Sequence, residues 1–399
     1  MLSMKQLINR NNGIAALCIL AMVVNRPEQC FAQSTESFHK KMVVVDGHND
    51  VIYESLLKGR DLGTKLTVGH TDIPRLRAGG VDVQVFAVWS DDKKYGKGKA
   101  FKHANHQIDL LEETAARYPN ELVIAKNSKS ISDIVAQGKI AAVIGVEGGN
   151  MIEESVENLE SLYDRGARYM TLTWNYNLSW ATAAAVEVKT KGTDGKGLSM
   201  KGKEIIRKMN ELGMMIDLSH SGEKTFYDVL AVTTKPVLVS HSNAYSLMPH
   251  YRNLKDEQLE ALRKNGGVVG VNFYSGFLDP EFTSRVERTY RNHFGAKGNN
   301  KLSSSVQYDK LPLKLKREVD APLSLLLDHI DYLVNKVGID HVAVGSDFDG
   351  IESSPQGLED VSKFPVLTAA LLARGYSEQD VSKIMGLNFL RILSENEQQ

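Results

Sequence analysis

Histidine and carboxylate side chains follow several short apolar stretches of this sequence, each where a stretch ends. The ends read Asp46-Gly47-His48-Asn49-Asp50, Gly145-Val146-Glu147-Gly148-Gly149, Asp217-Leu218-Ser219-His220, Ser240-His241-Ser242 and Gly345-Ser346-Asp347-Phe348-Asp349. Imidazole and carboxylate together suit Zn²⁺, and also Mn²⁺ or Co²⁺. A strand-end histidine alone is more often structural, but the repeated pattern indicates a metal site.

Five of these side chains form a ligand set for two ions. They divide into two pairs and a bridging carboxylate: His48 with Asp50, His220 with His241, and Glu147. Two ions ~3.5–4 Å apart support hydrolysis, because a bridging water loses its proton near neutral pH and one ion polarises the scissile carbonyl. Asp347 is predicted to take that proton and pass it to the leaving amine.

The elements that must position these residues alternate between strand and helix patterns. Eight strands are predicted, at Met42–Val45, Val81–Trp89, Ile140–Val146, Tyr169–Trp174, Met214–Leu218, Val237–Ser240, Val268–Tyr274 and Val342–Gly345. Helical sequence between them predicts an α/β fold, a TIM-like (β/α)8 barrel whose strand ends converge on one rim. A Rossmann-like sheet is the alternative, but no Gly-x-Gly-x-x-Gly follows the first strand.

The remaining histidines test the pattern. Six are interpreted as surface residues: His39, His103, His106, His293, His329 and His341. His70 and His250 fall in predicted loops and are the two further histidines that could approach the site.

The amino-terminal segment differs from the rest of the chain. Lys5 and Arg10 precede an apolar run at 14–24, and small residues then favour cleavage after Ala32. We therefore expect a signal peptide at 1–32, because a membrane-spanning helix needs ~20 apolar residues. Both cysteines precede the cleavage site, so the mature chain would lack disulfides. Cleavage would also leave the mature chain without a transmembrane anchor, and we expect it in the periplasm or outside the cell.

Residues 33–399 are predicted to form one domain with a long insertion around 280–322. Polar, basic composition there suggests a lid or specificity loop, with a disordered excursion as the alternative. With 24% charged residues and a net charge of −1, the 399-residue chain gives no sign of a nucleic-acid or anionic-membrane partner. The sequence is compatible with a homodimer as well as with a monomer.

Longer motifs resemble a known family, the membrane (renal) dipeptidases, metallopeptidase family M19. The matching segments span the mature chain: 45–50, 73–79, 144–149, 240–246, 251–253, 271–274 and 345–350. The resemblance implies a TIM-like barrel with two zinc ions per chain, one held by His48, Asp50 and Glu147, the other by Glu147, His220 and His241.

The resemblance also implies roles around the metals. Asp347 would be the acid/base carboxylate, Arg252 would grip the free carboxylate of the substrate, and Tyr274 would line the pocket. A planar guanidinium suits carboxylate recognition. The expected substrates are dipeptides, including those with a carboxyl-terminal D-residue.

One position departs from the family. Mammalian members read Leu-Thr-His after the fourth strand, and that histidine contacts the substrate, whereas this chain has Leu172-Thr173-Trp174. Indole donates one hydrogen bond but carries no basic nitrogen, which puts the substrate range in doubt. Asn175 or Asn177 is a candidate replacement for the lost polar contact.

Two other functions compete with the dipeptidase. The same site could act on another carboxylate-bearing amide, a lactone or a phosphotriester. A carbamylated lysine often bridges the metals of phosphotriesterase-like sites, and Trp174 occupies that strand end. The second competitor is a non-catalytic metal or peptide binder, which would have no use for Asp347.

Overall fold

Parallel strands form a barrel in the computed structural model, which describes residues 27–193, 195–295 and 302–398. The strands are β1 (Val45–Asp46), β2 (Val83–Trp89), β3 (Leu122–Ile124), β4 (Ile140–Glu147), β5 (Ala167–Thr171), β6 (Met215–Asp217), β7 (Leu238–Ser242), β8 (Val268–Val271) and β9 (Val342–Val344). They pair in the order β1-β2-β4-β5-β6-β7-β8-β9. Gly47 N–H donates to the Val344 carbonyl (3.0 Å) and Asp347 N–H to that of His48 (3.1 Å), joining the last strand to the first. The predicted barrel is confirmed.

Helices that follow β1 connect the strands and cover the barrel, and one further described helix precedes β1. The α-helices are Pro27–His39, Val51–Glu54, Ile73–Ala78, Asp92–Tyr95, Ala100–Arg117, Ser128–Ala136, Val156–Asp164, Ala184–Lys189, Met200–Leu212, Glu223–Leu230, Asp256–Asn265, Ser275–Leu278, Phe282–Phe294, Ser304–Lys310, Leu313–Val319, Leu323–Val337, Phe364–Ala373, Glu378–Ser382 and Asn388–Asn396. Shorter helical turns span Leu56–Lys58, Gly149–Ile152, Ile339–His341, Val361–Lys363 and Lys383–Leu387.

Local sequence determines where the helices begin and end, and so where the next strand starts. The helix Met200–Leu212 begins where the Ser199 side chain accepts a hydrogen bond from Gly202 N–H, and ends at Gly213 in the left-handed conformation (φ 81°). Serine is a favoured helix N-cap and glycine a favoured terminator, since it has no Cβ to clash at positive φ. The chain therefore turns directly into β6, which ends at Asp217 beside the site.

Apolar side chains fill the barrel interior. One buried cluster takes residues from each of the eight barrel strands: Val45, Val83, Val85, Ala141, Val143, Tyr169, Met215, Leu238, Val268 and Ala343. Each strand alternates side chains between the interior and the covering helices, so both faces are buried. This packed interior holds the strand ends in fixed positions around the rim.

The structure adds two details to the predicted organisation. β3 was not predicted; it has only three residues and pairs with β4 alone, outside the barrel circuit. The described part of the 280–322 insertion is helical and has a small core of its own: Phe282, Val286, Tyr290, Tyr308, Leu311 and Val319. Residues 296–301 lie outside the described residues.

Two units are distinguished by their internal contacts, Met1–Met42 and Val43–Gln399. Most of the expected signal peptide, residues 1–26, lies outside the described residues, and the helix Pro27–His39 runs across the predicted cleavage position. Among the described helices, none has the length and apolar character needed to cross a membrane.

The surface interpretation of six histidines was wrong for two of them. His39 and His329 are buried, with 4% and 1% of their surface exposed. His103 and His341 are half-buried, and His106 and His293 are exposed. At His329, Ala244 N–H donates to Nδ1 (3.1 Å) and Nε2 donates to the Leu278 carbonyl (3.1 Å), so the ring ties the loop after β7 to the helix Ser275–Leu278 that follows β8.

His329 makes the fold sensitive to acid. Burial lowers its pKa to about 4, so between pH 6.5 and 4 the unfolded chain takes up a proton that the folded chain does not. We expect this residue to cost about 2 kcal/mol of unfolding free energy between pH 7.5 and 5. Urea unfolding of the metal-free protein at both pH values, with His329→Gln and exposed His106→Gln as the control, measures it. A pH dependence equal in wild type and His329→Gln would contradict the assignment.

Candidate metal centre

All five predicted ligands and Asp347 meet at the carboxyl ends of the strands. Three groups of side chains have ligand atoms within 4.8 Å of one another: His48, Asp50 and Glu147; Glu147, His220 and His241; and His48, His241 and Asp347. Every member is buried, with at most 9% of its surface exposed. The third group places Asp347 within reach of the same centre.

Hydrogen bonds fix the protonation of His220 and His241. The Ser240 hydroxyl gives its one proton to Asp217 Oδ2 (2.6 Å), so it must accept from His241 Nδ1 (2.7 Å). Asn175 Oδ1 accepts from His220 Nδ1 (3.0 Å). Both Nε2 atoms therefore carry lone pairs, although they lie 3.0 Å apart. Two facing lone pairs repel each other unless a cation lies between them.

His48 shows the same arrangement on the other side of the centre. The Tyr169 hydroxyl lies 2.7 Å from His48 Nδ1 and 3.3 Å from the Gly47 carbonyl, which can only accept. His48 Nδ1 therefore donates to Tyr169, and its Nε2 faces the carboxylates of Asp50 (3.7 Å), Glu147 (3.7 Å) and Asp347 (4.0 Å). This buried Nε2 has no hydrogen-bond partner in the described residues.

Glu147 connects the two histidine groups through different oxygens. Its Oε1 lies 3.1 Å from His220 Nε2 and 3.6 Å from His241 Nε2, whereas its Oε2 faces His48. Burial and the Asp50 carboxylate raise the pKa of Glu147 well above its usual value. Burial opposes protonation of His48, but Glu147 and Asp50 outweigh it and raise the His48 pKa to about 10.

These features fit divalent cations. Buried carboxylates and imidazole nitrogens that converge in this way need positive charge between them, which bound metal ions supply. Nitrogen and oxygen donors in this mixture match Zn²⁺, Mn²⁺ or Co²⁺. Two of the three donor groups share Glu147, an arrangement that could hold two ions.

Tyr169 orients His48 through its buried hydroxyl. Gly145 on β4 makes room for it, since a Cβ there would overlap the Tyr169 ring. We expect Tyr169→Phe to weaken metal binding at the His48 side about 10- to 100-fold, because outer partners fix ligand orientation. Equilibrium dialysis against buffered Zn²⁺ measures both affinities. Equal affinities in Tyr169→Phe and wild type would remove this role, and Ser240→Ala, expected to affect the opposite group, is the matched comparison.

Asp347 has one oxygen held and one directed at the centre. Asn272 Nδ2 donates to Oδ2 (2.8 Å), while Oδ1 is the atom 4.0 Å from His48 Nε2. Burial raises the pKa of Asp347 to about 7, with the Asp50 carboxylate adding to it and His48 opposing it. A carboxyl group held in this way can exchange a proton at Oδ1.

Arg252 is a buried cation without a carboxylate partner among the described residues. It is 5% exposed, its Nε has no partner, and its terminal nitrogens reach the His241 carbonyl only at 3.3 and 3.4 Å. The guanidinium lies 5.4 Å from the centre of the Phe277 ring. A buried charge is costly unless it is paired, so the site is arranged to receive an anion.

A cavity of about 290 Å³ opens onto this centre. Its lining includes Asp50, Glu147, His220, Arg252 and Asp347, together with the predicted pocket residues Trp174 and Tyr274. Tyr274 donates its hydroxyl proton to Glu352 Oε1 (2.9 Å). The volume suits a ligand the size of a dipeptide.

Comparisons with known proteins agree with this geometry. A family model described as membrane dipeptidase (Peptidase family M19) matches residues 32–399. The chain belongs to this family. It is therefore a metallo-dipeptidase, a peptide-bond hydrolase, as the sequence motifs predicted.

Individual members of family M19 are similar over most of the chain. An uncharacterized dipeptidase of Schizosaccharomyces pombe is 35% identical over 376 residues, covering 90% of this chain and 81% of that protein. The solved structure of the probable dipeptidase PvdM from Pseudomonas aeruginosa has a TM-score of 0.77 at 25% identity, covering 93% of this chain and 99% of that one. A metallo peptidase from Rhodobacter sphaeroides, solved with a phosphinate mimic of the dipeptide L-Ala-D-Ala, has a TM-score of 0.72 at 25% identity, covering 89% and 99%.

Several contacts around the M19 site were not predicted. Tyr53, Trp89 and Phe277 line the cavity, and Tyr169, Ser240 and Asp217 hold the histidines. Trp89 ends a predicted strand, so the rule that located the ligands would also have found it had aromatic strand ends been considered.

The four further residues that the sequence offered for the site differ in where they lie. Asn175 lines the cavity and holds His220, whereas Asn177 Oδ1 accepts from Ala183 N–H and shapes its own loop. His70 Nδ1 accepts from Asp349 N–H (2.9 Å). His250 Nδ1 accepts from Arg252 N–H (3.2 Å), so it supports the arginine loop without lining the 290 Å³ cavity.

Proposed function

We propose that this M19 enzyme is a two-zinc dipeptidase that accepts substrates with a carboxyl-terminal L- or D-residue. The position of the Glu147 carboxylate between the histidines is the observation that carries the proposal. Its Oε1 lies near the Nε2 atoms of His220 and His241, and its Oε2 faces His48 Nε2. One ion would be held by His48, Asp50 and Glu147, and the other by Glu147, His220 and His241. Bound zinc would polarise the scissile carbonyl and make a water nucleophilic near neutral pH.

Arg252 gives the substrate its orientation. Its guanidinium has no carboxylate partner among the described residues, lines the same cavity as the candidate ligands, and would take the free α-carboxylate. A carboxylate held there places the preceding peptide bond, one residue away, near Glu147 and Asp347. Charge-assisted hydrogen bonds to a planar guanidinium fix position and direction together.

Asp347 moves the proton in this reaction. Its Oδ1 accepts a proton from the attacking water and returns it to the nitrogen of the leaving residue, while Asn272 holds Oδ2. A leaving amine must be protonated before it departs, so a carboxyl group with a raised pKa suits the task.

Tolerance of a D-residue follows from the same anchor. Recognition by the α-carboxylate and the peptide carbonyl does not depend on the side chain of the carboxyl-side residue. The Rhodobacter sphaeroides relative was solved with a mimic of L-Ala-D-Ala, which supports this substrate class for the present chain.

The test is a substrate panel with zinc-loaded protein. It compares L-Ala-L-Ala, L-Ala-D-Ala, an N-acyl amino acid and a lactone, with His220→Ala as the inactive control. Turnover of both dipeptides, lost in His220→Ala, is the expected result. Turnover of the lactone or N-acyl substrate alone would favour the alternative hydrolase, and dipeptide turnover that survives in His220→Ala would contradict the site.

We also infer that the enzyme is exported. The support is the basic start and apolar run before Ala32. Amino-terminal sequencing of protein recovered outside the cytoplasm should begin at Gln33. An intact amino terminus on cytoplasmic protein would contradict export.

A further inference from the structure

Three aromatic residues form a continuous surface in the 290 Å³ cavity, here called the aromatic wall: Tyr53, Trp89 and Trp174. The Trp89 ring meets Tyr53 edge-on at 4.5 Å between ring centres and Trp174 at 4.8 Å. Lys94 Nζ donates to the Tyr53 hydroxyl (2.7 Å), and Tyr176 packs against Trp174 at 5.9 Å. The rings are therefore held in place from both ends.

The barrel places this wall beside the metal ligands. Trp89 is the last residue of β2 and pairs in register with Glu147, the last residue of β4. Register partners in a parallel sheet point to the same side, so Trp89 projects towards the same rim region as the bridging carboxylate. Trp174 follows β5, the next strand of the circuit.

Arg252 lies on the opposite side of the rim. It follows β7, the sixth strand of the circuit, whereas Trp89 ends β2, the second. An extended dipeptide spans about 7 Å. With its carboxylate on Arg252 and its peptide bond at Glu147, its amino-side residue extends towards the aromatic wall.

We propose that the aromatic wall selects dipeptides whose amino-side residue has a large apolar side chain. This rests on the proposed dipeptidase function and names its substrate class. The wall offers ring faces and edges, which gain most from apolar and aromatic side chains. Trp174 thus supplies apolar contact area close to a candidate ligand, 6.5 Å from the His220 ring. Burial of a phenylalanine side chain there raises kcat/KM about 10- to 100-fold over glycine.

The experiment measures kcat/KM of the zinc-loaded full-length enzyme for Gly-Ala, Ala-Ala, Leu-Ala and Phe-Ala. Wild type should prefer Phe-Ala and Leu-Ala over Gly-Ala by at least tenfold. Trp89→Ala and Trp174→Ala should reduce that ratio to about threefold or less, and Trp174→Phe should largely restore it. Tyr176→Phe, outside the cavity lining, is the matched control and should keep the wild-type ratio.

Binding gives a readout that does not require turnover. Phosphinate analogues of Phe-Ala and Gly-Ala are titrated into wild type and Trp174→Phe, and their dissociation constants are compared. The Phe analogue should bind at least tenfold more tightly. Equal kcat/KM for the Phe and Gly substrates, with equal affinity for their analogues, would contradict the proposed selectivity of the aromatic wall. The proposed dipeptidase function would still stand. If no dipeptide is cleaved and neither analogue binds, the proposed function fails and the wall proposal with it.

Discussion

Glu147→Gln is expected to lower kcat/KM for dipeptides by on the order of 10³-fold and to reduce zinc content below two ions per chain. The substitution keeps the size of the side chain but replaces one oxygen with an NH₂ group, which has no lone pair for a metal. Since Oε1 and Oε2 face different histidine groups, either orientation of the amide leaves one group without its shared ligand. The lost negative charge also weakens attraction of both ions.

Metal analysis and steady-state kinetics on the same preparation check this prediction. Glu54→Gln is the matched control, because Glu54 lines the cavity but belongs to none of the three ligand groups, so its zinc content should equal wild type. A Glu147→Gln enzyme with two zinc ions and wild-type kcat/KM would contradict the bridging assignment.

Arg252→Met is expected to lower kcat/KM for dipeptides about 10²- to 10³-fold, mainly through KM. Loss of one partner of a buried charged pair typically costs 2–5 kcal/mol. Methionine fills much of the same space without charge. Because Arg252 is a buried cation with no carboxylate partner in the described residues, the variant should also unfold at a higher Tm than wild type.

Dipeptide amides provide the control for Arg252. They lack the carboxylate, so wild type and Arg252→Met should cleave them at similar, low kcat/KM. An unchanged KM for dipeptides in Arg252→Met would show that the carboxylate is bound elsewhere, and would favour a substrate without one.

The sequence predicted the fold and the convergence of the candidate metal ligands because both follow from local patterns. Each candidate ligand lies at or just beyond the carboxyl end of an apolar strand, and parallel strands in a barrel must present those ends on one rim. His48 and Glu147 are separated by 99 positions in the chain but meet because β1 and β4 both flank β2. Strand limits shifted by a few residues without moving any ligand off the rim.

The contacts that orient the ligands were not predictable in this way. Tyr169 reaches His48 from a strand three places away in the circuit, through space left by Gly145, and neither residue carries a local signal of that contact. His329 looked like a surface residue because its partners, Ala244 and Leu278, are distant in sequence. Such contacts depend on how elements pack, which strand and helix periodicity does not encode.

Zinc titration of the metal-free enzyme tests the central claim most directly. Zn²⁺ is added in fractions of an equivalent per chain while the initial rate of L-Ala-D-Ala hydrolysis is followed. Two groups of donors sharing Glu147 predict that the rate reaches its maximum at two equivalents per chain. A maximum at one equivalent, or no hydrolysis at any zinc concentration, would contradict a two-metal dipeptidase.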